Sequence, residues 1–201
     1  MKRIAFILSF FMSLVQADDL KDDILSMHQR AVVRDGFLKD RFETVLPEIM
    51  ARNKLDMWII IAREYNEDPV IRTMLPATWL NARRRTILVI HNPGNGYPLE
   101  SYAVARYDVG DIFKKAWDPE AQPNQYKALA DLIQSKNPKS IGINKSIYFA
   151  QADGLTATEY NLFKNALPKK YAPRIVSAEK VAIGWLETRS AKEMEVYPDI
   201  C

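Results

Sequence analysis

The sequence feature that most constrains the fold is a short apolar run, residues 57–62, which contains three consecutive isoleucines and no charged side chain. Because apolar side chains then point to both sides of an extended chain, the run predicts a strand that is covered on both faces. A polar segment, residues 63–68, follows at once and ends at Pro69. We therefore expect the central strand of an α/β sheet, with polar residues at its carboxyl end, where open α/β sheets usually bind ligands.

The first 17 residues are typical of a secretory signal peptide. Lys2 and Arg3 precede an apolar stretch, residues 4–15, and the small residue Ala17 fits cleavage by signal peptidase. The stretch is too short to span a membrane. The alternative is an apolar helix that belongs to the domain, but two aspartates follow it directly. We predict export to the periplasm or the exterior, and we exclude residues 1–17 from the fold.

Composition excludes several classes of protein. Two of the 28 basic residues lie in the signal peptide, which leaves 26 against 25 acidic residues. This balance gives no indication of nucleic-acid binding. The single cysteine, Cys201, is the last residue, so no internal disulfide is expected. We predict one α/β domain over residues 18–187 with a single core, and no membrane association after signal cleavage.

Hydrophobic periodicity predicts a mixed central sheet with helices on both faces. Strands are expected at residues 57–62, 86–91, 101–106, 140–144 and 174–177. The second and third of these should form an antiparallel pair, because the loop between them is dense in turn-forming residues. Helices are expected at residues 20–50 with a break at Gly36, from an Asn66 cap to Pro76, and at 124–135, 156–167 and 179–186.

Polar residues near the carboxyl end of the first strand are the candidate partner-facing or substrate-facing group. They are Arg63, Glu64, Tyr65, Asn66, Arg83 and Arg84. The triple arginine, residues 83–85, precedes the second strand. It is either a solvated edge or a clamp for a carboxylate or a partner chain, which the forked donors of arginine suit.

The chain carries no recognisable catalytic or metal-binding motif. It lacks H-E-x-x-H and G-x-S-x-G, and His28 and His91 have no carboxylate at ligand spacing. His28 is predicted to be a surface or packing residue, and His91 to end a strand. Asp108 and Asp111 could form a metal pair, but aspartate at such a position is more often a turn residue. We predict no catalytic residue, no metal site and no cofactor in this chain.

Five segments of the sequence resemble one protein family. They are residues 56–69, 74–80, 82–86, 152–160 and 184–189, which read DMWIIIAREYNEDP, MLPATWL, ARRRT, ADGLTATEY and GWLETR. Together they resemble the N-terminal half of bacterial Xaa-Pro aminopeptidases and prolidase-like metallopeptidases. The resemblance implies a creatinase N-terminal-like domain, a mixed-sheet α/β unit with a ribonuclease H-like core. In such enzymes this domain usually packs against the catalytic domain, often that of a neighbouring subunit, and narrows substrate access.

The resemblance also implies where the chemistry belongs. In this family a second, pita-bread domain binds a divalent metal pair through two Asp, one His and two Glu, and the metals activate water. No residue of this chain matches those motifs, so we expect a noncatalytic N-terminal domain of an exported metallopeptidase-like protein, without the catalytic half. Its expected partners are the pita-bread domain, on the same or a separate chain, and a second copy in a homodimer.

Two alternatives to this expectation stay open. One is a free-standing binding or interaction module that keeps the fold. The other is an enzyme that uses polar groups near residues 63–66, which is the weaker alternative because no nucleophile has a base beside it.

The C-terminal segment, residues 188–201, is predicted to be the start of an interrupted linker helix. Ser190 and Glu193 have the spacing of a capping box. Few residues remain to extend the helix, and Pro198 is one of them. We expect an exposed apolar surface and a free thiol at Cys201, whereas the alternative is a tail that folds back onto its own domain. The apolar residues concerned are Met194, Val196, Tyr197 and Ile200.

Overall fold

The computed structural model describes residues 24–199 and contains one mixed six-stranded sheet with helices on both faces. The strands are β1 (Met57–Arg63), β2 (Arg85–His91), β3 (Glu100–Ala103), β4 (Lys114–Lys115), β5 (Ile141–Ile143) and β6 (Ile175–Ser177). The helices are α1 (Met27–Thr44), α2 (Leu46–Arg52), α3 (Gln125–Lys136), α4 (Ala157–Ala166), α5 (Glu179–Glu187) and α6 (Ala191–Val196). The predicted signal peptide, Leu20, Ile200 and Cys201 lie outside the described residues.

Strand β1 is an interior strand, as its apolar run predicts. The strand order is β4-β3-β2-β1-β5-β6, so β1 lies between β2 and β5. It pairs antiparallel with β2 and parallel with β5. All of its residues except Arg63 are buried. The remaining pairs are β2 with β3, which is antiparallel, and β3 with β4 and β5 with β6, which are parallel.

The predicted single core is divided by the sheet, because alternate residues of β1 pack in two hydrophobic clusters, one on each face. Trp58, Ile60 and Ala62 pack in one core with residues of α1, α2 and α5. Ile59 and Ile61 pack on the other face with residues of α3 and α4. Burial of each large apolar side chain contributes about 1.5–3 kcal/mol relative to its exposed state. Helices cover both faces of the mixed sheet and bury these side chains. The predicted mixed α/β architecture is therefore confirmed.

The predicted break at Gly36 is wrong, because α1 runs through this glycine. The helix begins after Ser26, whose Oγ accepts from the Gln29 amide at 3.3 Å, while Gln29 Oε1 accepts from the Ser26 amide at 2.8 Å. One interior glycine costs only about 1 kcal/mol relative to alanine. The chain instead bends at Val45, with Pro47 in the first turn of α2.

The predicted helix between Asn66 and Pro76 is also wrong. Only a 3₁₀ turn, Ile71–Thr73, forms there. Asp68 precedes this turn, and its Oδ1 accepts from the Val70 amide at 2.8 Å. Asn66 instead forms an isolated bridge back to Arg63. The apolar residues of this segment are buried nevertheless: Val70, Ile71, Met74 and Leu75.

The other predicted elements are present with small shifts. Strand β3 covers Glu100–Ala103 rather than residues 101–106, and β2 and β3 form the predicted antiparallel pair. Strand β4 was not predicted, because its two residues are exposed lysines without any apolar alternation. Asn124 caps α3 as expected, and its side chain accepts from two backbone amides. Among residues 24–199, no helix combines the length and apolarity needed to cross a bilayer.

Candidate functional site

The predicted polar group gathers at one end of the β1–β2 pair. The two strands are antiparallel, so the carboxyl end of β1 lies beside the amino end of β2, with Arg63 opposite Arg85. The Glu64 amide donates to the Arg84 carbonyl at 2.6 Å, and the Arg84 amide donates to Glu64 Oε2 at 3.2 Å. Antiparallel pairing thus joins two segments that lie apart in the sequence. We call this surface the arginine edge: Arg63, Glu64, Tyr65, Asn66, Arg83 and Arg84.

Two residues of the arginine edge have left-handed backbone conformations. The φ angle is 68° at Tyr65 and 56° at Arg84. Such a conformation costs an L residue roughly 1–2 kcal/mol. The Tyr65 amide donates to Glu67 Oε1 at 3.1 Å, and the Tyr65 side chain is 85% exposed. The turn therefore directs a large aromatic ring into solvent, at an energetic cost.

The three consecutive arginines have three different environments. Arg83 lies over the Trp79 ring, with its guanidinium carbon 4.3 Å from the ring centroid, and it is 6.0 Å from the Tyr107 centroid. Arg84 is exposed to solvent. Arg85 turns inward, with its side chain 31% exposed. The sequence left open whether the triple arginine is a solvated edge or a clamp. In the structure Arg84 is solvated, whereas Arg85 pairs with Glu159 of its own domain.

A buried carboxylate lies beneath the arginine edge. Glu159 is 1% exposed, and its Oε2 accepts from Arg85 Nε at 2.7 Å. Arg85 Nη2 donates to the other oxygen at 3.3 Å, and Arg63 Nη1 lies 3.8 Å from that same oxygen. The Tyr126 hydroxyl also donates to Glu159. Charge-assisted hydrogen bonds of this kind are the stronger ones in proteins, so Glu159 links β1, β2, α3 and α4 at this end of the sheet.

The Tyr126 hydroxyl stays protonated in this environment. Burial raises the pKa of Tyr126, because the charged phenolate loses its hydration, and the hydrogen bond to Glu159 raises that pKa further. The Arg85 guanidinium lies 5.1 Å from the centroid of the same ring. The side-chain Nε2 of the neighbouring Gln125 donates to the backbone carbonyls of Arg85 at 3.0 Å and Val104 at 2.6 Å. The amino end of α3 therefore contacts Arg85 twice. Gln125 binds the Arg85 backbone, and the Tyr126 ring contacts the Arg85 side chain.

Sequence reasoning missed the role of Glu159. Thr156 and Glu159 have the spacing of a capping box. Half of that box forms, because Thr156 Oγ1 accepts from the Glu159 amide at 3.3 Å. The carboxylate, however, turns towards Arg85 and Tyr126. A glutamate in a first helical turn fits both roles equally well, so the available signal was ambiguous. Tyr126 lies in the helix predicted at residues 124–135, where hydrophobic periodicity gives no information about the partner of its hydroxyl.

A second buried carboxylate, Asp68, has neutral partners. Asn144 Nδ2 donates to its two oxygens at 3.0 and 2.9 Å, while Asn144 Oδ1 accepts from Trp58 Nε1 at 2.8 Å. Burial raises the pKa of Asp68, and the hydrogen bonds from Asn144 and from two backbone amides offset this only in part. Gly154 packs directly against it, because a Cβ placed there would lie 2.3 Å from Asp68 Oδ2.

The histidines and turn aspartates lie away from these carboxylates. His28 is exposed on α1. His91 ends β2 as predicted, and its Nδ1 lies 2.6 Å from Glu100 Oε2, which Lys136 Nζ also contacts at 2.9 Å. Burial alone would raise the pKa of Glu100, but the bonds from His91 and Lys136 lower it overall. Asp108 Oδ1 accepts from the Lys115 amide at 2.7 Å, which joins the loop before β4 to that strand.

The metal pair that the resemblance implies has no fitting donors here. Within residues 24–199, no three His, Cys, Asp or Glu side chains come together as metal ligands would. The carboxylates described above already accept hydrogen bonds from arginine, asparagine, tyrosine, histidine or backbone groups. No catalytic step through a metal is therefore derived from these residues.

The C-terminal helix α6 has a local cap and contacts the domain through an ion pair between Glu193 and Arg41. Ser190 and Glu193 form the predicted capping box, with distances of 3.2 and 2.8 Å. Glu193 Oε2 lies 3.6 Å from Arg41 Nε, and the Arg41 guanidinium stacks 4.0 Å from the Trp185 centroid. The outer apolar residues of this helix and the turn after it are 36–50% exposed: Met194, Val196 and Tyr197.

The arginine edge exposes cationic side chains and one aromatic ring. It offers the exposed cations of Arg63 and Arg84 and the exposed ring of Tyr65. Among the described residues of this edge, no nucleophile is paired with a general base. A scan against protein-family models and a search of curated proteins found no match to this chain.

Proposed function

We propose that this chain forms a noncatalytic, creatinase N-terminal-like domain of an exported Xaa-Pro peptidase-like metallopeptidase. One observation carries the proposal. Three of the five segments that resemble this family meet at one buried carboxylate, since Arg63, Arg85 and Glu159 come from the first, third and fourth of them. Segments that resemble a family only by chance composition have no reason to share one ion-pair cluster.

A second contact links the same segments. Asp68, in the first segment, packs against Gly154, in the fourth, so closely that no side chain fits between them. A glycine at this point is what the buried carboxylate requires. The six-stranded mixed sheet also agrees with the class of fold that the resemblance implies.

The proposed role is packing against a pita-bread catalytic domain, on the same or a separate chain, and control of substrate access to it. Two surfaces suit that role: the arginine edge and the outer side of α6. The arginine edge supplies exposed donors for carboxylates or backbone carbonyls. The outer side of α6 supplies Met194, Val196 and Tyr197 as apolar contact area. The divalent metals would be bound by the catalytic domain alone, in the periplasm or outside the cell.

The test is purification of the tagged protein from its native cells, followed by mass spectrometry and an assay of Xaa-Pro peptide hydrolysis with added manganese. We expect a polypeptide carrying two Asp, one His and two Glu as metal ligands, either joined to this chain or bound to it, and activity only where that polypeptide is present. Arg63→Ala with Arg84→Ala should weaken a separate complex. Lys127→Ala, an exposed change on α3, is the matched control and should not.

Two results would contradict the proposal. Hydrolysis proportional to the amount of this chain purified alone would make it an enzyme in its own right. Recovery of the chain without any metal-ligand-bearing polypeptide would favour the free-standing binding module. That alternative is favoured by a separate apolar groove at the far edge of the sheet, beside β6.

A further inference from the structure

Strand β6 is an open edge of the sheet. One side of it pairs with β5, and no strand of the described residues pairs with its other side. The Ala178 amide donates to the Ile143 carbonyl at 2.9 Å, so the backbone groups of Val176 and Ala178 face β5. Because backbone groups alternate along a strand, those of Ser177 point outward, and Ser177 is exposed. Such an edge is a template for an added strand.

An apolar groove runs beside this edge. It has a volume of about 700 Å³ and is lined by residues of β6, of the loop after β5 and of α4. Three of its apolar side chains are well exposed, Ile147 by 81%, Tyr148 by 85% and Val176 by 42%. Clustered exposure of large apolar side chains marks interaction surfaces in soluble proteins.

The same groove has an excess of positive charge. Lys54, Lys145 and Lys180 line it and are exposed, and none of them forms an ion pair within residues 24–199. The acid in the lining is Glu179, which already accepts a hydrogen bond from the Ser146 hydroxyl. The groove therefore attracts an acidic occupant and repels a basic one.

This charge argues against a second copy of the chain as occupant. A two-fold pairing of β6 with β6 would place the lysine-lined groove against itself. A head-to-tail pairing would bring β6 to the opposite edge of the sheet, where β4 consists of Lys114 and Lys115. Both arrangements oppose like charges, whereas an acidic strand satisfies the lysines and the backbone together.

We propose that the β6 groove docks an extended peptide segment of another protein, in which acidic and apolar side chains alternate. The segment would pair its backbone with the outward groups of Ser177. Its apolar side chains would contact Ile147, Tyr148 and Val176, and its carboxylates would contact Lys54, Lys145 and Lys180. Main-chain pairing supplies affinity in this mode of recognition, and alternate side chains supply specificity. This site is separate from the arginine edge and does not depend on the proposed peptidase relationship.

The test uses a fluorescein-labelled peptide of alternating glutamate and valine, with a lysine–valine peptide for comparison, and fluorescence anisotropy as readout. We expect saturable binding of the acidic peptide and no saturable binding of the basic peptide. Lys145→Glu with Lys180→Glu should weaken it by roughly tenfold, which corresponds to about 1.4 kcal/mol. The matched control is Lys114→Glu with Lys115→Glu on β4, which changes the net charge equally and should leave binding unchanged.

Backbone pairing is tested with the peptide rather than the protein, so that folding is not disturbed. Two peptides are made, one N-methylated at its odd-numbered residues and the other at its even-numbered residues. Methylation of the set whose N–H groups face Ser177 should abolish binding, and methylation of the other set should preserve it. The proposal is overturned if the acidic peptide shows no saturable binding. It is also overturned if the two methylated peptides bind equally, or if the two double variants change binding equally. It is also overturned if the unmodified chain dimerises and the Lys145→Glu, Lys180→Glu variant does not, because the occupant would then be a second copy.

Discussion

Two buried carboxylates, Glu159 and Asp68, are compensated differently. Glu159 has cations, with Arg85 Nε at 2.7 Å and Arg63 Nη1 at 3.8 Å. Among residues 24–199, the partners of Asp68 are dipoles, chiefly the Asn144 amide at 2.9 and 3.0 Å and the Val70 amide at 2.8 Å. Each is 1% exposed or less.

The difference determines what each site depends on. An ion pair is stabilised by both of its charges, so loss of one carboxylate leaves cations without their partner. A carboxylate with neutral donors gains less from ionisation, and burial therefore raises the pKa of Asp68. The Glu159 cluster should consequently respond most to truncation, and the Asp68 site to packing and to pH.

Replacement of Glu159 by alanine should have the largest effect on stability. Arg85 and the Tyr126 hydroxyl would lose their common acceptor, and four elements would lose their link. We expect a loss of about 3 kcal/mol in the free energy of unfolding, the lower end for a broken buried pair, because both arginines are partly exposed. Urea denaturation measures this loss.

Glu120→Ala is the control for this change, because Glu120 is exposed. It should alter the free energy of unfolding by no more than about 0.5 kcal/mol. Similar losses for the two variants would mean that the Glu159 cluster does not stabilise the fold.

Replacement of Gly154 by alanine should have the next largest effect, through the Asp68 site. The added Cβ would lie 2.3 Å from Asp68 Oδ2 and 2.8 Å from Asp68 Cα, so the backbone must move. Overpacking of this kind costs about 1–3 kcal/mol. Thermal unfolding of the purified variant measures the cost.

Gly36→Ala is the matched comparison, since nothing lies within 4 Å of a Cβ at that position in α1. It should stabilise the protein by up to about 1 kcal/mol, because alanine favours a helix interior. An unchanged melting temperature for Gly154→Ala would show that Asp68 and Gly154 are not in such close contact.

The sequence predicts the secondary structure around both sites better than it predicts which residues contact the two carboxylates. The apolar run of β1 and the caps Asn124 and Thr156 are local signals, and they predicted the strand and the two helices correctly. The failures at Gly36 and Asn66 arose where tertiary packing outweighed a weak local preference. Glu159 and Arg85 lie 74 residues apart, and no local pattern selects the inward arginine from a triple. Contacts of that range depend on the whole fold.

Replacement of Asp68 by asparagine should have the smallest effect at any single pH, but it should change how stability depends on pH. Burial raises the pKa of Asp68 in the folded state above its value in the unfolded chain, near 3.9. The folded protein then binds the Asp68 proton more tightly than the unfolded chain does. The contribution of Asp68 to stability is therefore greatest below pH 3.9, and it falls as the pH rises through the raised pKa.

Asparagine does not titrate, so the variant lacks this decrease. Denaturation of the parent and of Asp68→Asn in urea at a series of pH values from 4 upward gives the difference between their free energies of unfolding. That difference should shift in favour of the variant as the pH rises, and then become constant once Asp68 is ionised in the folded parent. A difference that is independent of pH would show that folding does not change the pKa of Asp68. A difference that shifts towards the parent would show that Asp68 is stabilised as a carboxylate, as a site with cationic partners would be.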